Sequence, residues 1–359
     1  MAKRSVNQEL LDSAIVNELI LHGQAQEMAL EIARVLRDEV LPDLGRHLMA
    51  ADLSDLRLND IRLMRLQEEI RRGLSIEKIT SETMAQLTAI ASNTVQAAFD
   101  ELTEALPVNF GLTMPGPNML NAIIFEQPFN GKIMSEWFSQ LGETVQSDIF
   151  EAFRVGMIEG KNIPQMANDL LAKNYDAFTT GGVNKAVNNA KAVARTAANY
   201  VSNQSRLAFA VENSDVIKGV EYIAVLDDRT SEICMLLHGT VYPVNDIGAV
   251  PPQHYNCRST MGYVTKSWDE LEMEGNEIVK QQAFRPEGST RMDGVIERPE
   301  SFDDWIKTQS PERQNKLLGP VRAELYRSGA IPDISGFAAA DGSFATLKDL
   351  GYSRTGVKL

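Results

Sequence analysis

The segment CMLLHGTVYPVNDIGAVPPQHYNCRS, residues 234–259, contains both cysteines and two of the four histidines of this 359-residue chain. The candidate ligands lie in two close pairs, Cys234 with His238 and His254 with Cys257. Fifteen residues separate the pairs, and two consecutive prolines at 251–252 stiffen the return. The pattern leaves four interpretations open: a metal site, a cysteine nucleophile with its base, a disulfide, or cysteines buried in a turn.

The metal interpretation assigns Cys234, His238, His254 and Cys257 to one tetrahedral Zn²⁺ site. Thiolate and imidazole are the donors that zinc prefers in proteins, and two close pairs joined by a loop suit its geometry. Asp227 is an alternative oxygen ligand in place of His238. The site would be structural, because it would lock a small module.

The other interpretations use the same residues differently. A catalytic site would pair Cys234 with His254 as the base and Asp246 as the residue that orients it. A Cys234–Cys257 disulfide is chemically less favoured in a reducing compartment. In the simplest interpretation, the cysteines are small buried apolar residues and His254 bonds to the backbone.

The flanking sequence predicts short strands around this segment. VIKGVEYIAVL, residues 216–226, is rich in β-branched and aromatic residues, and VYPV at 241–244 and GYVT at 262–265 are typical of further strands. We expect an Asp227–Arg229 pair to fix the turn after the first strand. Thr230 or Ser231 is expected to cap a short helix that carries Cys234.

The rest of the chain predicts helices. Apolar residues recur at helical spacing from Leu10 to Leu36, with Gly23 and Pro42 expected to bend or end segments. These apolar stripes predict a helix–helix core or, in part, a face that docks on a partner. The sequence therefore predicts a mainly α protein with a small α+β module. Its regions are a helical N-terminal docking region at 1–106, central helices and the Cys/His module (219–265) within 119–265, a linker at 266–299 and a helical C-terminal extension at 300–350.

Composition excludes several classes of function. The net charge is −14 with no Lys/Arg block, so non-specific coating of nucleic acid is not expected, because that binding depends on neutralising phosphates. The apolar runs are far shorter than a membrane span, and the first residues lack the apolar core of a signal peptide. Two cysteines are too few for a secreted disulfide framework. No phosphate-binding loop, dinucleotide fingerprint or HExxH motif occurs in the chain.

Several motifs together resemble one family. LDDRTS at 226–231, LLHG at 236–239 and PPQHYNCRS at 251–259 resemble the signature of phage head-morphogenesis proteins, the Mu F-like minor capsid proteins. GKNIPQMANDLL at 160–171, AVARTAAN at 192–199 and the segment 301–320 resemble further elements of the family. The resemblance extends over roughly residues 140–350.

The resemblance implies roles for particular residues. Its motif residues with a structural role would be, in this chain, Asp227, Asp228, Arg229, Gly239, Pro252 and Arg258. Many relatives carry a cysteine at the position of Ser231, so the Cys3His site of those relatives is not available here. Either His238 then supplies the fourth ligand of a zinc site in this chain, or the site is weaker or absent.

The resemblance also implies a function. Such proteins are minor, non-catalytic components of the phage head that associate with the portal vertex and aid head assembly and genome delivery. We therefore expect a protein made in the host cytoplasm and placed inside the head, in several copies around the portal. Its partners would be the portal protein and other head proteins, either major capsid or scaffold, with no specific binding of nucleic acid. The alternative is a Cys/His hydrolase or metal-dependent nuclease delivered with the genome.

Overall fold

The fold is mainly helical and contains one small antiparallel sheet, as the sequence predicts. The computed structural model describes residues 5–51, 53, 60–177, 182–227, 229–274, 302–339 and 344–358. Asp228 and most of the predicted linker, together with Ser301 at the start of the C-terminal motif, lie outside these residues. No helix in the described ranges is long and apolar enough to cross a membrane.

The helices and strands divide along the chain into an N-terminal group, a central group, the module and a C-terminal group. The N-terminal helices are α1 (Val6–Val35), α2 (Leu41–Ala50), α3 (Asp60–Gly73) and α4 (Glu77–Ala105). The central helices are α5 (Pro117–Phe125), α6 (Met134–Ile158), α7 (Ile163–Leu171) and α8 (Gly182–Glu212). The module contains β1 (Ile217–Ile223), α9 (Glu232–Leu237), β2 (Val241–Pro243), β3 (Thr260–Thr265) and α10 (Trp268–Met273), and the C-terminal helices are α11 (Phe302–Lys307), α12 (Pro311–Leu318) and α13 (Pro320–Arg327).

Helix α1 runs without interruption through Gly23, so the predicted break at this glycine is wrong. Gly23 has no atom near the position of a Cβ, and buried residues on both sides, such as Leu21 and Ala25, hold the helix in place. Tertiary packing thus overrides the low helix propensity of one glycine. Near Pro42 the predicted segment boundary is present, because a π-helical turn at Leu36–Val40 ends α1 and the proline lies in the first turn of α2.

The apolar stripe of α1 is wider than its buried face. Leu10, Leu11 and Ala14 are buried, but the side chains of Ile15 and Leu19 are 42% and 67% exposed. The interpretation of the whole stripe as core is therefore wrong for Ile15 and Leu19. These two residues belong to a second apolar face that the described residues leave uncovered.

Helix α8 is the centre of the molecule. Helices α1, α4 and α6 all pack along it, and α1 also packs on β3. Small side chains on α8, among them Ala186, Ala190 and Ala194, are fully or almost fully buried and let the neighbouring helices approach closely. One hydrophobic cluster extends from Leu21 of α1 to Val201 of α8, so the N-terminal helices and the central region share a core.

The sheet confirms the predicted strands. Its order is β2–β1–β3, with both pairs antiparallel, and Gly219 lies opposite Pro243 in the register. A Cβ at Gly219 would lie 2.6 Å from the carbonyl oxygen of Tyr242, so this position accepts only glycine without a backbone shift. Every residue of β3 is buried, because α1 and α8 pack on it while β1 pairs with its edge.

A buried ion pair connects α4, α8 and β3. The Arg206 guanidinium lies 3.1 Å from Glu101, and each side chain is only 2% exposed. Arg206 Nε donates to the carbonyl oxygen of Met261 in β3 at 2.7 Å, and the guanidinium lies 4.5 Å from the ring centre of Tyr263. Burial raises the pKa of Glu101, while the charge of Arg206 and a hydrogen bond from Asn17 act in the opposite direction.

The C-terminal extension packs on the module. Its hydrophobic cluster includes Met235 of α9, and the Phe344 N–H donates to Glu232 of α9 at 2.7 Å. At the start of the predicted linker, residues 268–273 form α10, which is capped by Ser267 and anchored by buried Trp268. The described structure is thus built around the helix and sheet that hold the Cys/His segment.

Candidate functional site

Three of the four predicted metal ligands come together. Cys234 Sγ lies 3.3 Å from His254 Nε2 and 3.7 Å from Cys257 Sγ, and the three donor atoms all lie within 4.8 Å of one another. Cys234 is in the first turn of α9, where the Ser231 hydroxyl caps the helix by accepting the Cys234 N–H at 3.4 Å. The Cys257 N–H donates to the His254 carbonyl oxygen, so a tight turn aims both side chains at the same point.

Side chains of helix α8 hold the turn at residues 254–257 in place. The Thr196 hydroxyl accepts the Asn256 N–H at 3.0 Å, and Asn199 donates to the Ser259 carbonyl oxygen at 3.0 Å. Arg195 donates to the Asn256 side chain at 3.3 Å. The AVARTAAN segment therefore positions the Cys/His turn through the polar face of its helix.

His238 lies outside the group of three ligands. Its Nδ1 accepts the Ala224 N–H at 3.0 Å, which ties the end of α9 back to the segment after β1. In the described residues, His238 therefore does not serve as a fourth ligand beside Cys234, His254 and Cys257.

Asp227 forms an ion pair with Arg258 and is not part of the group of candidate metal ligands. The Arg258 guanidinium makes two bonds to its carboxylate, at 2.5 and 2.6 Å, and the Arg229 N–H adds a third at 2.8 Å. The Arg229 guanidinium, expected to fix the turn, is 3.9 Å away and its side chain is 77% exposed. The Arg258 guanidinium holds the pKa of Asp227 well below its usual range.

Gly239 and Pro252 shape the chain between the ligand pairs. Gly239 has φ +79°, in the left-handed region that glycine adopts without strain, and its N–H donates to the Tyr222 carbonyl oxygen at 2.8 Å. Pro252 is buried just before the His254 turn. Both residues therefore serve the path of the backbone, which is the structural role that the motif implies.

The two thiols influence each other's protonation. The hydrogen bond with Cys257 lowers the pKa of Cys234 to about 6, and the same contact raises the pKa of Cys257 to about 11. A hydrogen bond with Cys257 raises the pKa of His254, while burial acts in the opposite direction. Because the deprotonated thiol is the metal-binding form, Cys234 is prepared to act as a ligand near neutral pH.

The three donors are of the types that zinc prefers, but they are one fewer than the four ligands of a tetrahedral site. Two sulfur atoms and one imidazole nitrogen are the donors typical of zinc sites, and both cysteines are free thiols. The catalytic interpretation is met in part, because Cys234 Sγ lies 3.3 Å from His254 Nε2, whereas His254 Nδ1 faces the Tyr255 carbonyl oxygen at 2.9 Å rather than Asp246.

The sequence interpretation missed the contribution of α1 to the site. A cavity of about 580 Å³ opens beside the ligand group and is bordered by Glu18, His22 and Gln26 of α1. Glu18 lies on the buried face of the helix, in the apolar stripe that also contains Ala14 and Leu21. A carboxylate at a core position of an amphipathic helix is the signal that could have identified it.

The comparison with protein families agrees with the motifs. Residues 147–262 match the family model described as Phage Mu protein F like protein, which confirms the resemblance to phage head-morphogenesis proteins in that region. The family points to a virion-associated protein of the phage head that interacts with other head proteins. No match was found among curated proteins or among solved structures.

We expect Asp227→Asn to loosen the Cys/His turn by releasing Arg258. The variant should lose about 1–2 kcal/mol of unfolding free energy at neutral pH, as expected for a partly exposed bidentate pair. Since the pKa of Asp227 is lowered in the fold, the wild-type advantage should be complete above about pH 4 and shrink as pH falls further.

Urea unfolding of both proteins across this pH range checks the prediction. An advantage of the wild type that stays constant down to acid pH would contradict the assignment to this carboxylate.

Proposed function

We propose that this chain is a minor capsid protein of a tailed phage that docks at the portal vertex inside the head. It aids head assembly and genome delivery as a structural protein. The observation that supports this most directly is the family match over residues 147–262, because that range contains α8 and the Cys/His module. The sequence motifs, the helical fold and the module around the ligands all point to the same class of protein.

An exposed apolar face on α1 is the docking surface in this proposal. Ile15, Val16, Leu19 and Ile20 are 42%, 55%, 67% and 55% exposed, and their spacing places them on one side of the helix. We call these four residues the α1 face. Contiguous exposed apolar side chains of this kind mark protein interaction sites on soluble proteins.

The α1 face is held rigidly on the family module. The opposite side of the same helix is buried against α8 and β3 through Leu10, Leu11 and Ala14. A partner that binds the α1 face would therefore be connected through this helix to the core of the protein. Removing the N-terminal helices would also open that core, so single substitutions on the exposed side give a cleaner test than a deletion.

The acidic charge is compatible with a position beside packaged DNA. A net charge of −14 with no basic block disfavours adhesion to phosphates. The protein can then stay bound to head proteins, in several copies around the portal, without being trapped on the genome.

A structural zinc ion completes the proposal. Cys234, His254 and Cys257 would hold it, and it would supply a crosslink between α9 and the turn that follows Pro252. Since α9 also carries the contact of the C-terminal extension, the ion would stabilise the junction of module and extension.

We expect Leu19→Asp, on the α1 face, to abolish incorporation into heads. The buried side of α1 does not include Leu19, so the melting temperature should change little while binding of the purified portal protein is lost. Quantitative immunoblotting of purified heads and a binding assay with the portal protein measure the two effects.

Ile158→Asp serves as the matched control, because Ile158 is 61% exposed at the end of α6, outside the α1 face. This variant should enter heads normally. Normal incorporation of the Leu19 variant, or equal loss in both variants, would contradict the assignment of the docking surface.

Purified protein should contain one zinc ion per chain, and Cys257→Ser should lose it. The ion binds the folded state alone, so a chelator should lower the melting temperature of the wild type and leave that of the variant unchanged. Elemental analysis and thermal unfolding provide the readouts. Absence of zinc, with a melting temperature indifferent to chelator, would refute the metal site and leave the docking proposal standing.

A further inference from the structure

Within the described residues, the ligand group supplies three donor atoms, one fewer than a tetrahedral zinc ion takes. Zinc in protein sites takes four ligands, and the donors of this group are two thiols and one imidazole. His238 accepts the Ala224 N–H and lies outside the group, and both oxygens of Asp227 are bound by Arg258. The fourth ligand must therefore come from outside this set.

The open side of the group faces the cavity between α1, α8 and the Cys/His turn. Both His254 and Cys257 border this cavity of about 580 Å³, and so does Ser231. A smaller adjoining recess is bordered by Ser231, Cys234 and His254. A ligand that enters from the cavity can thus reach the donor atoms directly.

The cavity wall is cationic although the protein is acidic. The guanidiniums of Arg195, Arg229 and Arg258 border it. Arg195 bonds to neutral amide oxygens of Gln26 and Asn256, which do not compensate its charge. Arg258 shares its charge with Asp227, whereas Arg229 is largely exposed to the cavity mouth and solvent.

The titratable groups on α1 reflect this environment. Burial, followed by the charges of Arg258, Arg195 and Arg229, lowers the pKa of His22. Burial raises the pKa of Glu18 well above its usual value, and the charge of Cys257 acts in the same direction. The Oε2 atom of Glu18 is buried without a hydrogen-bond partner in the part of the chain that the structure describes.

We propose that this cavity binds a small free anion that completes the coordination of a zinc ion held by Cys234, His254 and Cys257. The inference rests on the zinc site proposed above. The anion coordinates the metal through one atom and pairs with Arg195 on the cavity wall. The site is therefore exchangeable, in contrast to a structural zinc site closed by four protein ligands.

Cobalt substitution tests the open position in the full-length protein. Co²⁺ takes the place of zinc and reports its ligands in the visible spectrum, and azide is the probe anion. Azide should change the spectrum of the Co²⁺-loaded wild type with a saturable dependence on concentration. Arg195→Gln should raise the azide concentration at half-saturation severalfold, whereas Arg154→Gln, on the exposed surface of α6, should not change it.

Ser231→Cys closes the position from the protein side. Ser231 caps α9 and its side chain already faces the first turn that carries Cys234, so a thiol there can reach the same metal. The variant should bind zinc more tightly by at least about 10–100-fold, the range that outer-shell partners alone produce. Its Co²⁺ spectrum should no longer respond to azide. Ser267→Cys, which replaces the cap of α10 away from the ligands, is the matched control and should behave as the wild type.

The outcomes separate the two proposals. A wild-type protein that binds Co²⁺ but gives no spectral response to azide overturns the anion site alone. A Ser231→Cys variant that keeps the azide response shows that the anion does not occupy the predicted position, and also overturns it. A wild-type protein that binds neither Co²⁺ nor zinc overturns the metal site and this inference together, with no effect on the docking proposal.

Discussion

The polar face of α8 is the constraint on which the rest of the structure depends. Arg206 is buried there with Glu101 of α4, and it also binds the backbone of β3. Replacing one partner of such a pair leaves a buried charge without compensation, which costs about 3–5 kcal/mol. Asn199 and Thr196, about two and three turns nearer the N-terminus of α8, bind the backbone of the Cys/His turn. The same helix therefore fixes α4, the sheet and the candidate metal ligands.

This arrangement separates the positioning of the site from the surfaces available to partners. The Cys/His turn is held by hydrogen bonds from α8 and by the Asp227–Arg258 pair, so contacts other than its candidate metal ligands define its geometry. The α1 face lies on the outside of a helix whose other side is part of the core. In the proposed function, a partner bound to the α1 face would be coupled to the family module through the buried side of the same helix.

Local patterns in the sequence predicted much of the fold. The β-branched run before Asp227 forms β1, and the Ala-rich repeat after residue 182 forms α8, because these patterns match the periods of a strand and a helix. The ligand pairing was predicted only in part. Cys234, His254 and Cys257 converge, but the choice between His238 and another fourth ligand depends on which way α9 ends, and the spacing of residues does not encode that direction.

Long-range placement was the part that the sequence could not provide. The contact of Glu18 with the Cys/His cavity joins residues more than 200 positions apart, and no periodicity in one segment reports its neighbour in space. The predicted break at Gly23 failed for a related reason, because packing of α1 against α8 keeps the chain helical there. The exposed Ile15 and Leu19 had the same spacing as core residues, because an exposed apolar face and a buried face have the same helical period in sequence.

The central claim is that α8 holds the N-terminal helices and the Cys/His module together as one cooperative unit. Native-state hydrogen exchange of the wild type and of the Glu101→Gln variant tests this claim most directly. The slowest amides of α1, α8 and β3 should share one opening free energy in the wild type, and that energy should fall equally in all three elements in the variant. Glu151→Gln, which breaks an exposed pair on α6, should leave it nearly unchanged. Loss of protection in α8 and β3 with α1 unaffected would contradict the account.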